Sequence, residues 1–166
     1  VTRRFALATL LLLLTTGPVV ADDMAVQVDP RADLSRFRTF AIRTPKVNSP
    51  RPELDNPLMV KGLGRTIRVA LAARGLKEAT TAPDLVVDYT LTSEDVALGV
   101  PTAVRGLGPR PERYTEGTLV IDLIRPGDTN PVWRGTYRDD ERTGSKLVQK
   151  LPEDARKLIG RYPQVR

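Results

Sequence analysis

Two runs between Glu116 and Asp140, EGTLVIDLI and VWRGTYRDD, flank the seven residues RPGDTNP and constrain this chain more than any other segment. Large apolar residues recur at every second position in both runs, and the Pro, Gly, Asp and Asn between them are turn chemistry, so the two strands fold back as an antiparallel hairpin. Side chains alternate between faces along a strand, so burying the large residues of both strands together leaves one register. That register sets Leu123 opposite Trp133, Ile121 opposite Gly135 and Leu119 opposite Tyr137, with Gly135 as the gap that lets Ile121 fit. The second face then pairs Asp122 with Arg134, while Val120, Ile124 and Val132 give it an apolar character that calls for a covering helix or a partner.

The remaining elements follow from periodicity. Ala25 to Val28 and Leu34 to Ile42 read as strands separated by Pro30, and the stretch from Arg43 to Pro57, with four prolines, reads as an exposed connection. Asn56 is placed to cap a helix whose first turn accepts Pro57, because that turn's amides have no intrahelical partner. Val60, Leu63, Ile67, Ala70 and Leu71 carry the buried stripe, and Gly75 stops the helix in a left-handed conformation with Leu76 packing back. Gly62 and Gly64 each weaken its first half by about 1 kcal/mol relative to Ala.

From Pro83, Leu85, Val87, Tyr89 and Leu91 share one strand face, with Asp88, Thr90, Thr92 and Glu94 on the other. The glycine-rich stretch from Ala97 to Thr115 has no sustained period and reads as a long loop. Lys146 to Tyr162 is an amphipathic helix that either begins at Pro152 or is kinked there. Together these elements predict an α+β fold, an antiparallel β-sheet with two helices packed on one face, as a two-layer sandwich.

With 166 residues, 40% hydrophobic and 28% charged, the chain suits one globular domain. Arg3 and Arg4, the apolar run Phe5 to Leu14 and the small residues up to Ala21 have the form of a cleaved signal peptide, with the domain at 22–166. The run is half the roughly 20 apolar residues that span a bilayer, so no transmembrane segment is expected in the mature chain. The absence of cysteine excludes disulfides, thiolate chemistry and lipid attachment at an N-terminal cysteine. The periplasm is the expected compartment, with secretion as the alternative, and nucleic acid is not an expected partner after export.

Four segments carry a family pattern: DLSRFRTFAI (Asp33 to Ile42), NPLMVKGLGRTIRVALAARGL (Asn56 to Leu76), PDLVVDYTL (Pro83 to Leu91), and YTEGTLVIDLI with VWRG (Tyr114 to Gly135). In their order and spacing, with a C-terminal helix ending in a Tyr-Pro pair, they make the chain similar to the bacterial domain of unknown function 4136 family. The resemblance implies an exported envelope protein with an α+β sandwich and no assigned catalytic residues. Many members are lipoproteins. This chain lacks the lipobox cysteine and carries Gly62 and Gly64 where relatives have better helix formers.

Histidine is absent too, which removes the usual neutral-pH base, Ser-His-Asp arrangements and His-ligated metal sites. Neither catalytic residues nor a metal or cofactor are therefore expected. Glu94, Asp95, Glu116 and Asp122 are the carboxylates from which a hydrolase of cell-wall polymers would have to be built, since glycoside cleavage needs only two. Asp139, Asp140 and Glu141 resemble a hard-cation cluster without the loop pattern of a calcium site, so a charged strand end explains them better. Arg105, Arg110 and Arg113, with Tyr114, are the candidate ligand-binding residues, because guanidinium groups engage carboxylates and phosphates in bidentate fashion. The expected role is that of a binding or accessory protein whose partner is an envelope protein or an anionic envelope polymer.

Overall fold

A computed structural model describes residues 23–97, 102–104, 107–110, 113–141 and 143–165, so the expected signal peptide and Arg105 lie outside the described residues. In order the elements are β1 (Asp23–Val28), a 3-10 turn (Leu34–Arg36), β2 (Thr39–Ile42), β3 (Lys46–Asn48), α1 (Pro57–Ala73) and β4 (Lys77–Glu78). They continue with β5 (Leu85–Ala97), β6 (Thr102–Val104), β7 (Leu107–Arg110), β8 (Arg113–Ile124), β9 (Pro131–Glu141) and α2 (Gly144–Ile159).

The β8–β9 hairpin has the register dictated by its side chains: Leu119 faces Tyr137, Ile121 faces Gly135, Asp122 faces Arg134 and Leu123 faces Trp133. The pairing shifts between Leu123 and Ile124, and Val132 is buried in the core rather than on the second face with Val120. Gly135 does provide a gap, but its occupants are the Trp133 ring and Leu158: a β-carbon there would lie 2.6 Å from Trp133 Cη2 and 2.7 Å from Leu158 Cγ.

Among the described residues the main sheet runs β1-β9-β8-β5-β2-β4, with β3 pairing β5 beyond the end of β2. The pairs β1–β9, β8–β9 and β5–β8 are antiparallel, whereas β2–β5, β3–β5 and β2–β4 are parallel. The sheet is thus mixed, where an antiparallel one was expected. The cause is α1, which lies in sequence between β2 and β5 and supplies the long crossover that parallel neighbours require.

Both helices pack on the same face of this sheet. Leu63, Ile67 and Leu71 of α1 and Leu147, Leu151, Ala155 and Leu158 of α2 form one buried cluster with Leu85, Val87, Tyr89, Leu119, Ile121, Leu123, Trp133 and Tyr137. The Asn56 side chain accepts from the Leu58 amide at 2.9 Å, Pro57 opens α1, and Gly75 ends it at φ 94° with Leu76 buried behind. Pro152 lies within α2, so the helix does not begin there.

Three segments differ from their sequence patterns. Leu34–Arg36 forms a 3-10 turn rather than the start of a strand, because the Asp33 carboxylate accepts from both the amide and the hydroxyl of Ser35. The proline-rich connection holds β3 and the fully buried Leu54.

The expected long loop from Ala97 to Thr115 is largely strand. β5 and β8 stay paired out to Ala97 and Arg113, and β6 and β7 form a small separate hairpin between them. Its period was hidden because apolar residues on the core side give way to Ser93, Asp95 and Thr115. Those polar groups are satisfied by Ser49, whose hydroxyl is 2.5 Å from that of Ser93, and by Arg51, which donates to both Asp95 and Thr115.

Candidate functional site

A groove of about 550 Å³ opens between the first turns of α1 and α2. Leu63 and Leu151 line it from the core, and Met59 and Val148 add partly buried apolar surface. Leu58, 80% exposed, borders it, with Glu53, Asn56, Ser145 and Gln149 as its polar residues. Gly62 lies on its wall with open space beside it, since a β-carbon added there would meet no atom within 4 Å. Its size, its apolar lining and its few polar groups are those of a small-ligand site. Glu53 is the one ionisable lining group, so the groove offers apolar contact and hydrogen bonds rather than paired acid and base.

Glu53 also serves α2. Its side chain lies so close to Gly144 that a β-carbon there would collide with the carboxylate, which places an anion at the start of a helix whose Thr143 makes no side-chain cap.

Beneath α2, on the far side of Leu151, lies a polar group that sequence reasoning did not single out. Asp154 is buried at 4% exposure, and desolvation pushes its pKa up to about 6, against the hydrogen bond from Tyr137 and the nearby Lys150 and Lys157. Asp139, also nearby, adds to the upward shift. Lys150 holds Asp139 at 3.1 Å and also pairs with Glu141; these carboxylates raise its pKa. The signal for Asp154 is its place on the apolar stripe of α2, one residue before Ala155 and three after Leu151.

The structure pairs two of the four carboxylates singled out from the sequence with arginines and sets the other two opposite each other. Asp122 receives Arg134 in a bidentate pair at 2.6 and 2.8 Å, and Asp95 receives Arg51 at 2.6 Å. Glu94, exposed, and Glu116, half-buried, stand opposite each other on the face away from the helices. Asp140 pairs across from Glu116, whereas Asp139 and Glu141 alternate to the other side and meet Lys150. Among the described residues no three acidic groups are arranged to hold a metal ion.

Of the arginines, Arg110 closes β7 opposite Thr102 and Arg113 begins β8 opposite Ala97. Tyr114 is half-buried and pairs with Val96 on the face away from the helices. No described helix is long and apolar enough to cross a membrane.

A family model, the domain of unknown function DUF4136, matches residues 24–164. No curated protein matches the chain. Among solved structures, the PelC dodecamer from Paraburkholderia phytofirmans is similar at 12% identity and a TM-score of 0.51, covering 88% of this chain and 99% of that one. A PDZ domain protein from Parabacteroides distasonis is similar at 14% identity and a TM-score of 0.59 over 87% of this chain, which spans only 36% of that longer protein. A DUF4136 family protein from Bacteroides thetaiotaomicron matches at 13% identity and a TM-score of 0.46, over 84% of this chain and 92% of its own. At these identities the likeness is one of fold.

Proposed function

From the premise that this chain belongs to the DUF4136 family, we propose that it is an exported, non-catalytic binding protein of the bacterial cell envelope, working in the periplasm. In this reading the groove between α1 and α2 takes an apolar portion of an envelope component. The observation that carries it is the groove itself: about 550 Å³, lined mainly by apolar side chains, with open space beside Gly62. The N-terminal Arg3-Arg4 and apolar run support export. Arg110 and Arg113, at the outer end of the β5–β8 ladder with Tyr114, are the proposed contacts to anionic polymer.

The test is binding of the uncharged probe N-phenyl-1-naphthylamine, followed by fluorescence. Wild-type protein should enhance the emission, and Gly62→Leu, which adds a side chain at a lining position where a β-carbon meets no atom within 4 Å, should abolish the enhancement while leaving circular dichroism unchanged. Equal enhancement by the two proteins would remove the groove as the binding site.

A further inference from the structure

The two edges of the main sheet are built differently. At one edge β4 contributes only Lys77 and Glu78, both exposed and charged, and β3 begins with Lys46. Short, charged edges of this kind resist pairing with other chains. The other edge is β1, six residues with the sequence DMAVQV and no lysine or proline, in which Val26 and Val28 are 38% and 46% exposed.

The pairing with β9 shows which backbone groups of β1 remain unpaired within the sheet. The Asp29 amide donates to the Val132 carbonyl at 3.0 Å, and Val28 lies opposite Trp133. Hydrogen-bonded and non-hydrogen-bonded pairs alternate along an antiparallel ladder. Asp29, Gln27, Ala25 and Asp23 therefore turn their amides and carbonyls toward β9, and Met24, Val26 and Val28 turn theirs outward. The same three residues pair with Tyr137, Gly135 and Trp133, so their side chains lie on the helix-bearing face. One set of residues thus presents both the backbone groups that no described strand pairs and, at Val26 and Val28, the exposed apolar side chains.

We infer that β1 is a self-association edge, joining antiparallel to β1 of a second copy about a two-fold axis at Val26, so that the two sheets become one. In this register Val26 faces Val26 and Met24 faces Val28. All outward donors and acceptors from Met24 to Val28 are then used, in six hydrogen bonds, and every apolar side chain of β1 on the helix-bearing face meets another. Shifting the strands by two residues brings Asp22 opposite Val28 and loses that match. Asp23 of one copy stands near Asp29 of the other, but each has an arginine of its own chain at 3.8 Å, Arg138 and Arg125. The association is isologous, hence closed at two copies, and it lies on the sheet edge rather than in the inter-helix groove.

The experiment is sedimentation equilibrium of the full chain across a concentration series, with a cysteine reporter. A wild-type dimer is expected at roughly 10–100 µM, and Val26→Lys, which sets two ammonium groups together on the axis, should weaken it at least 100-fold with unchanged circular dichroism. The chain has no cysteine, so Val26→Cys adds a single thiol. Its two copies would sit with Cα atoms about 5.5 Å apart, within disulfide range, and should crosslink on mild oxidation, whereas Leu58→Cys should not. A wild-type chain that stays monomeric to about 500 µM, or a dimer that Val26→Lys leaves intact, overturns the inference. Crosslinking that is no better at position 26 than at 58 also overturns it.

Discussion

The Tyr89 hydroxyl, donating from β5 to the Val60 carbonyl of α1 at 3.3 Å, lies 3.0 Å from the point a β-carbon on Gly64 would occupy. Gly62, two residues earlier on the same helix, has open space at the equivalent point. The two glycines cost α1 the same in helix propensity but differ in what they make possible. Gly62→Ala should therefore raise stability by about 1 kcal/mol. Gly64→Ala should gain less or lose, because Tyr89 must move and its hydrogen bond stretches. Urea unfolding midpoints of the two variants decide this, and equal gains would show that Gly64 is not there for Tyr89.

Asp154 makes stability depend on pH. Its folded pKa of about 6 stands above the ordinary 3.8, so the folded state binds the extra proton between these values. Its contribution is complete below pH 4 and is lost as pH rises through 6, a change of order 1–3 kcal/mol. Asp154→Asn should remove this slope, matching wild type near pH 4 and exceeding it at pH 7.5 in denaturant melts. A wild-type profile that is flat from pH 4 to 7, after correction with the variant, would contradict the assignment.

Asp84 acts in the opposite sense. Its carboxylate accepts from the amides of Arg38 and Thr39 at 2.8 and 2.9 Å, while its own amide donates to the Thr39 hydroxyl at 2.9 Å, tying the start of β2 to the segment just before β5. The backbone hydrogen bond from Arg38 is the largest cause of its lowered pKa. That stability is present above the unfolded value near 3.9 and falls as pH drops through the folded one. Asp84→Ala should cost about 1–2 kcal/mol at pH 7 and progressively less as pH falls below the unfolded value, measured by thermal unfolding.

Asp122 and Arg134 form a bidentate pair whose arginine is 42% exposed, and solvent screening limits its worth. A double-mutant cycle with Asp122→Ala and Arg134→Ala should return a coupling of about 0.5–1 kcal/mol that shrinks in 1 M salt. A coupling above 2 kcal/mol would assign the pair a larger role than a surface contact.

The parts of the fold that were legible in the sequence are those where burial and alternation agree. The β8–β9 register followed from Trp133, Tyr137 and Leu123 having to share a face, and α1 from its cap, its stripe and Gly75. The outermost residues of β5 and β8, 95–97 and 113–115, were not legible because Ser93, Asp95 and Thr115 are polar residues on a core-facing row. There they meet Ser49 and Arg51, some 44 residues or more away from them in sequence. The mixed topology depends on α1 passing over the sheet, which no local pattern records. The groove was hidden for the same reason: it belongs to two helices far apart in the chain, and Gly62 read only as a helix weakness.

The first described strand, β1, pairs with the last, β9, and residues near the C-terminus complete the packing around early ones. Tyr162 donates to the Leu34 carbonyl at 3.3 Å and meets Trp133 edge to face at 5.9 Å, and the Val165 amide reaches the Arg74 carbonyl at 2.8 Å. These contacts span up to 128 residues of sequence, so the native core cannot close around a partly synthesised or partly delivered chain. The segment after α2 thus acts as the closing piece of the core, and a molecule lacking it is left without the partners of Leu34, Arg74 and Trp133.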